Sequence, residues 1–253
     1  MVGVPVSHSR PSEITVDEST LRSAVNSGDL SVVKQCLESG LPANLRDSKG
    51  ISVLMLAAEK GLREIAEALL SLGADPNIAD DYDDVPLNRA AAGGHVEIVR
   101  LLAEHGALVH SPSIGITPLL TAAGQGHLAV VQYLVEEQKV PVDGMSRHLG
   151  SPLQAAACEG HLDVVRYLLN KGARPDSRDS YGKTAIDIVR DCMSLSGLSD
   201  DELTNLRAMA HLLDSWTEGG ASTPSAAGVI PKPDSSSTST TRSKWWQLWR
   251  RKE

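Results

Sequence analysis

Phenylalanine is missing from all 253 residues, and aromatic side chains make up only 3% of them. The few rings are unevenly placed. Three of the four tryptophans, Trp245, Trp246 and Trp249, fall within the last nine residues. Cysteine is scarce too: Cys36, Cys158 and Cys192 are an odd number at wide spacing, which excludes a disulfide framework and fits a reducing compartment. No basic stretch followed by an apolar one opens the sequence, so no secretory signal is expected. No run approaches the roughly 18 apolar residues of a membrane-spanning helix. Val2 stands where myristoylation needs glycine, and no prenylation cysteine is present. Positive charge is also short in most of the chain. The six basic and three acidic residues from Thr217 onward leave 18 basic against 29 acidic in residues 1–216, a charge of −11 before a tail of +3. An acidic body argues against nucleic acid as its partner, while a basic end suits an anionic surface or an acidic partner.

What the chain does have is a period. A glycine followed by Asp, Leu or His recurs at Gly28, Gly61, Gly94, Gly126 and Gly160, in steps of 33, 33, 32 and 34 residues. Before each later glycine stands a short turn-to-helix motif: "SVLMLAA", "VPLNRAA", "TPLLTAA" and "SPLQAAA", then a degenerate "TAIDIVR". After the glycines come amphipathic runs such as "HVEIVRLLAEHGA" and "HLDVVRYLLNKGA". Pro86, Pro118 and Pro152 stand where a first helical residue would, with Val53 and Ala185 in the same place elsewhere. Alanine pairs such as Ala57-Ala58 and Ala90-Ala91 let this first helix pack closely. The second helix supplies the bulk through Ile98, Leu101 and Leu102 and their counterparts, spaced on one helical face. Gly73, Gly106 and Gly172 suit the left-handed position after a helix. No such unit buries its apolar face alone, so neighbours must stack.

In period and motif the sequence resembles the ankyrin repeat family over about residues 17–216. The resemblance implies an all-α solenoid of about six helix–turn–helix units, near 17–46, 47–79, 80–111, 112–145, 146–178 and 179–216, the outer two acting as caps. Residues 1–16 are expected to be disordered. In the last unit, Ser199 or Asp200 is placed to cap a longer helix, with Glu202 near the capping-box position. Two departures stand out. The family's histidine after "PL" is replaced by Met55, Asn88, Leu120, Gln154 and Asp187, so its bond to the turn backbone is made otherwise or lost. The fourth unit ends "EEQKVPVD", one residue longer than the "GAD-N" pattern.

Chemistry finds little support. "GKT" at 182–184 lacks the earlier glycine of a phosphate loop, since Ser177 stands there, and reads as a repeat turn. His95, His127 and His161 recur at the repeat period, and units set about 8–10 Å apart spread them too far for one metal. They read as structural hydrogen-bonding residues. "DDYDD" at 80–84 lacks the glycine and distal glutamate of a calcium loop and reads as a solvated tip or an acidic contact patch. Cys158 has no partner base and reads as a packing residue. No catalytic constellation, cofactor or small-molecule substrate is expected, and the chain reads as non-enzymatic.

The family's partners usually meet the turn tips and the exposed side of the first helix. Carried over by position, this implies Lys49 and Ile51 in the second unit, and Asp81, Tyr82, Asp84 and Arg89 in the third. The fourth contributes Ile114, Ile116 and Gln125, the fifth His148 with Glu159, and the sixth Tyr181. Tyr82 and Tyr181 are rings at tips, of the kind enriched at interface hot spots. Residues 217–243, rich in Ser, Thr, Gly and Pro, predict a disordered linker. The tail, 244–253, then needs its own reason for Trp245, Trp246, Leu248, Trp249, Arg250 and Arg251. Trp245, Leu248 and Trp249 share a helical face by spacing, and tryptophans flanked by arginines suit an anionic membrane surface. A groove on a partner, or the acidic stack itself, are the other places for it. The expected function is a cytoplasmic interaction module, a scaffold or adaptor holding a protein on its concave face. Its tail makes a second, reversible attachment, for which a peripheral membrane contact is one candidate. The alternative is a subunit that masks one partner and uses the tail as a docking peptide.

Overall fold

The computed structural model describes residues 17–109, 117–146 and 150–218. Within them, twelve helices form six consecutive hairpins. These are α1 (Glu18–Ser27) with α2 (Leu30–Glu38), α3 (Val53–Glu59) with α4 (Arg63–Ser71), and α5 (Pro86–Gly93) with α6 (Val96–Glu104). Then come α7 (Pro118–Gly124) with α8 (Leu128–Glu136), α9 (Pro152–Cys158) with α10 (Leu162–Asn170), and α11 (Ala185–Met193) with α12 (Asp200–Glu218). Among the described residues no strand forms, and only isolated bridges, Arg46 to Ser52 and Ser146 to Gly150, close hairpin tips between units.

Each first helix begins where the sequence supplies a cap. Ser52, Thr117, Ser151 and Thr184 accept the N–H three residues on, and Pro86, Pro118 and Pro152 occupy the first turn. The last hairpin's long helix is introduced by Ser199, whose hydroxyl accepts from Glu202 N–H while Glu202 accepts from Ser199 N–H.

The first helices form one layer and the second helices another, and one continuous apolar core runs through both from Leu21 to Leu213. Ala57, Ala58, Ala90, Ala91, Ala122, Ala123, Ala156 and Ala157 are fully buried between successive first helices. With no side chain larger than a methyl at these points, the first helices pack more closely than the second helices, which meet through leucine, isoleucine and valine. The stack therefore bends toward its first-helix side, and that side is concave.

Polar clasps join the units. His95 Nε2–H donates to Glu59 C=O at 3.0 Å, His127 to Ala92 at 2.9 Å and His161 to Gly124 at 3.1 Å. Each acceptor sits two residues before the preceding unit's loop glycine, and each ring lies against that glycine. At the end of the stack Asn205 of α12 takes over, donating to Gly160 C=O. Burial holds His161 below the ordinary histidine range, partly opposed by its bond to Gly124. The stability of its neutral ring is present above that range and is lost as pH falls through it. On the opposite loops, Asn44 and Asn77 each donate to a glycine carbonyl of the next unit, Gly73 and Gly106, and accept the N–H of Asp75 and Leu108 respectively. Asp143 likewise accepts from Arg174 N–H.

The one-residue expansion after α8 is absorbed locally. Lys139 takes the left-handed conformation, φ 57°, where the neighbouring units have glycine. The extra residue Glu137 pairs with Arg100, whose guanidinium also lies 4.6 Å from the Tyr133 ring centre. Of the residues replacing the family histidine, Gln154 bridges to the next unit, donating to the Ser177 carbonyl at the end of its own unit at 3.0 Å and to the Lys183 carbonyl of the next at 2.8 Å. Met55 and Asp187 serve only their own helix starts, and Leu120 has no polar atom to offer.

The glycine–histidine clasp is separable from glycine's backbone role. Gly126 has φ 75°, and a Cβ there would lie 2.4 Å from His161 Nδ1; Gly106 has φ 85° and open space around it. Gly106→Ala should cost about 1 kcal/mol from backbone strain alone. Gly126→Ala should cost about 2–3 kcal/mol, because it also displaces the ring and its hydrogen bond. Urea unfolding of both variants measures the difference, and equal losses would show that the ring and the glycine act independently.

Candidate partner-binding face

The hairpin tips are built on a recurring aspartate. Asp47 accepts the N–H groups of Lys49 and Ile51, Asp80 those of Tyr82 and Asp84, and Asp179 those of Tyr181 and Lys183, all between 2.9 and 3.0 Å. A side chain that satisfies two consecutive turn donors fixes the tip without help from a strand. In the fourth and fifth units the matching positions hold Pro112 and Ser146 instead.

The third tip is held most firmly. The Asp80 side chain is fully buried, and its second oxygen accepts from Arg89 Nη2 at 2.9 Å. Arg89 Nε lies 2.6 Å from Asp84 Oδ2 and its Nη1 3.5 Å from Glu59 Oε2, so one half-buried guanidinium is shared among three carboxylates on two units. Burial raises the Asp84 carboxyl above its usual range, with Arg89 opposing. Asp83 takes φ 60° where the second and sixth tips have Gly50 and Gly182. The tip also bonds to its neighbour, Asp81 N–H donating to Lys49 C=O at 3.1 Å.

The sequence-predicted residues divide by exposure. Tyr82 is 76% exposed and Tyr181 69%, each at the crest of an aspartate-held tip. Lys49 and Asp81 are exposed beside Tyr82, while Ile51 is partly covered. Asp84 and Arg89 are engaged in the latch that holds the tip. Gln125 lies partly exposed on the first-helix face, two units away from Tyr181. Ile114, Ile116 and His148 lie outside the described residues, as do Trp245, Trp246, Leu248, Trp249, Arg250 and Arg251. Sequence reasoning did not see that Asp80 and Arg89 form one latch. The signal was present, since aspartate recurs at 47, 80 and 179, always five residues before the helix N-cap.

The motifs set aside for chemistry take structural places. Gly182 is the left-handed tip residue, Thr184 caps α11 and Lys183 pairs with Asp191. Cys158 is half-buried, its thiol pushed up to about 12 by burial first and then by Glu159 and Cys192, which keeps it protonated and weakly nucleophilic at neutral pH. Among the described residues no three metal-ligating side chains gather. Glu159 differs from every other acid on this face. It is partly buried, burial raises its carboxyl, and no cation or hydrogen-bond donor meets it among the described residues.

A family model described as ankyrin repeats (3 copies) matches residues 21–113 and 108–179. The chain is 31% identical over 199 residues to protein fem-1 homolog A-like of Mus musculus, covering 73% of this chain and 27% of that one. It is 32% identical over 124 residues to the probable 26S proteasome regulatory subunit p28 of Saccharomyces cerevisiae, covering 47% and 54%. The chain thus spans only about a quarter and a half of these curated relatives. The solved human ASB11 ankyrin repeat domain superposes with a TM-score of 0.62 at 24% identity, covering 75% of this chain and 96% of that domain.

Removing the shared cation isolates the latch. Arg89→Met leaves the buried Asp80 carboxylate unpaired and should destabilise the chain by about 3 kcal/mol. Arg89→Lys, which keeps the charge but loses the fork, should fall between. Amide exchange at residues 80–84 should quicken in both; unchanged exchange there would mean that the tip holds without Arg89.

Proposed function

The chain belongs to the ankyrin repeat family, and from that membership we propose that its concave first-helix face and its hairpin tips bind a segment of a protein partner. Such repeats generally mediate protein–protein interaction, and the fold is typically non-enzymatic. One observation carries the finer reading. Tyr82 is the most exposed large hydrophobic side chain among the described residues, yet its backbone is fixed by Asp80, and Asp80 is fixed by Arg89. An exposed ring on an already ordered backbone binds with little further loss of conformational freedom, which is the condition for an interface anchor. Lys49, Asp81 and Tyr181 stand on the same line of tips, Gln125 adds to the first-helix face, and Ile114, Ile116 and His148 are assigned to the face by the repeat period of the sequence. The tryptophan-bearing tail, Trp245 to Arg251, supplies the second and reversible attachment, for which an anionic membrane surface fits its rings and cations best. Two weak contacts on one chain reinforce each other by raising effective concentration.

Affinity capture with the full chain tests the face. Tyr82→Ala with Lys49→Glu should lower recovery of the partner at least tenfold while leaving the unfolding midpoint within a degree or two. Recovery at the parental level would remove these tips from the interface. For the tail, vesicles containing phosphatidylserine should blue-shift tryptophan emission of the full chain. No shift at excess lipid would remove the membrane contact.

A further inference from the structure

The concave face carries a pattern that the tips do not explain. Its floor is low: Leu56, Ala92, Thr121, Gly124, Ala155 and Ile188 are partly exposed along successive first helices, and between the third and fifth units Ala92, Gly124 and Ala155 offer little bulk beside Thr121 and Gln125. Its two ends are acidic. Glu59, Asp81 and Asp83 are exposed at the second- and third-unit end, where Arg89 is already shared among Asp80, Asp84 and Glu59, and where Arg46, bound to the Gly50 and Ala79 carbonyls, and Lys49 stand beside Asp81. At the fifth-unit end Glu159 is partly buried with no counter-charge among the described residues. A partly desolvated carboxylate that folding leaves without a cation is a cost to the stack. A cation delivered from outside the stack removes that cost.

The chain carries the complement to this face. Its last residues read "RSKWWQLWRRKE": Arg242 and Lys244 precede three tryptophans, and Arg250, Arg251 and Lys252 follow them. Cation, rings, cation therefore matches acid, small-residue floor, acid, and bulky rings fit best over a floor that has no bulk of its own. The distance also matches. Residues 219–243 are a 25-residue connection from the end of α12, with a coil span of about 25–30 Å. With units about 10 Å apart, Glu159 lies one step from the unit that contains α12 and the Asp81 end three steps, about 30 Å.

We propose that residues 244–252 dock in cis on the chain's own concave face, with the tryptophans over the Ala92–Gly124–Ala155 floor and the flanking cations at Glu159 and at the Glu59, Asp81 and Asp83 end. The inference rests on the reading of that face as the binding face, and makes the tail its competitor. A partner segment and the tail then exclude one another, and any surface that takes up the tail frees the face. With an effective concentration on the order of 1 mM, a segment whose free form binds at about 0.1 mM covers the face about nine-tenths of the time.

Hydrogen exchange of the full chain tests this, compared with the full-length variant Trp245→Ala/Trp246→Ala/Trp249→Ala, whose changes lie outside the stack. Docking predicts exchange up to about tenfold slower in the parent at residues 89–94, 121–126 and 155–160, with no difference in α12. Glu159→Lys with Asp81→Lys should abolish that difference and red-shift tryptophan emission, and adding Lys244→Glu, Arg250→Glu and Arg251→Glu should restore both. Equal exchange in parent and tryptophan variant overturns the proposal, as does protection that grows with protein concentration, which would make the occupant a second copy. Protection lost only in the presence of phosphatidylserine vesicles supports it, because the tail is then shared between face and membrane. Blue-shifted emission that appears only with vesicles overturns it and leaves the tail to the membrane alone. If exchange is equal while Tyr82→Ala with Lys49→Glu still loses the captured partner, the cis contact fails and the binding face stands.

Discussion

Each unit of this protein leaves polar and apolar groups at its edge that only the next unit satisfies. The carbonyl near the end of each first helix is the clearest case. Glu59, Ala92 and Gly124 expose a carbonyl oxygen at the seam, and His95, His127 and His161 of the following unit donate to it. The ring reaches that oxygen only by lying against the preceding loop glycine, where a Cβ would fall within 2.4–2.7 Å of ring atoms. Glycine and histidine are thus one device divided between two units. The ends of the stack confirm the logic: Lys60 serves Asn26 C=O where the series begins, and Asn205 serves Gly160 C=O where it stops.

The scarcity of rings follows from the same seam. Successive first helices meet through fully buried alanines, and a phenylalanine at any of those points would push two units apart along the whole stack. Rings are admitted where there is room and a polar neighbour. Tyr133 and Tyr167 sit in the second-helix layer, with Gln138 and Glu136 on their hydroxyls and Arg100 and Lys171 near their faces. Tyr82 and Tyr181 sit on tips, in solvent. Because the first-helix layer is the tighter one, the stack curves and turns its small side chains inward. A shallow, smooth face with charged margins is the physical result of close packing.

That face is stiff at its third tip and electrostatically incomplete at its fifth unit. Arg89 holds three carboxylates and so fixes the loop that carries Tyr82, whereas Glu159 has no cation among the described residues. Rigid presentation favours recognition by shape, and an uncompensated carboxylate favours a ligand that brings positive charge. Residues 1–216 are acidic overall, and the excess of basic residues falls beyond Thr217.

Repeat length, helix pairing, the proline starts and the glycine stops could all be read from the residues, because each rests on local backbone preference or on a period of 33. The tips were legible in part: Tyr82 and Tyr181 stand out as rings among polar residues, and the structure leaves both in solvent. That His95, His127 and His161 hydrogen-bond structurally was legible from their period, but the acceptor of each, the Asp80–Arg89 latch and the lack of a partner for Glu159 among the described residues were not, since each depends on the distance between groups up to 37 residues apart. The sequence by itself determined that this chain must stack, for no unit can cover its own apolar face. Only the tertiary structure decided which side is concave and which charges stay unpaired on it, because both depend on how closely one helix layer packs relative to the other.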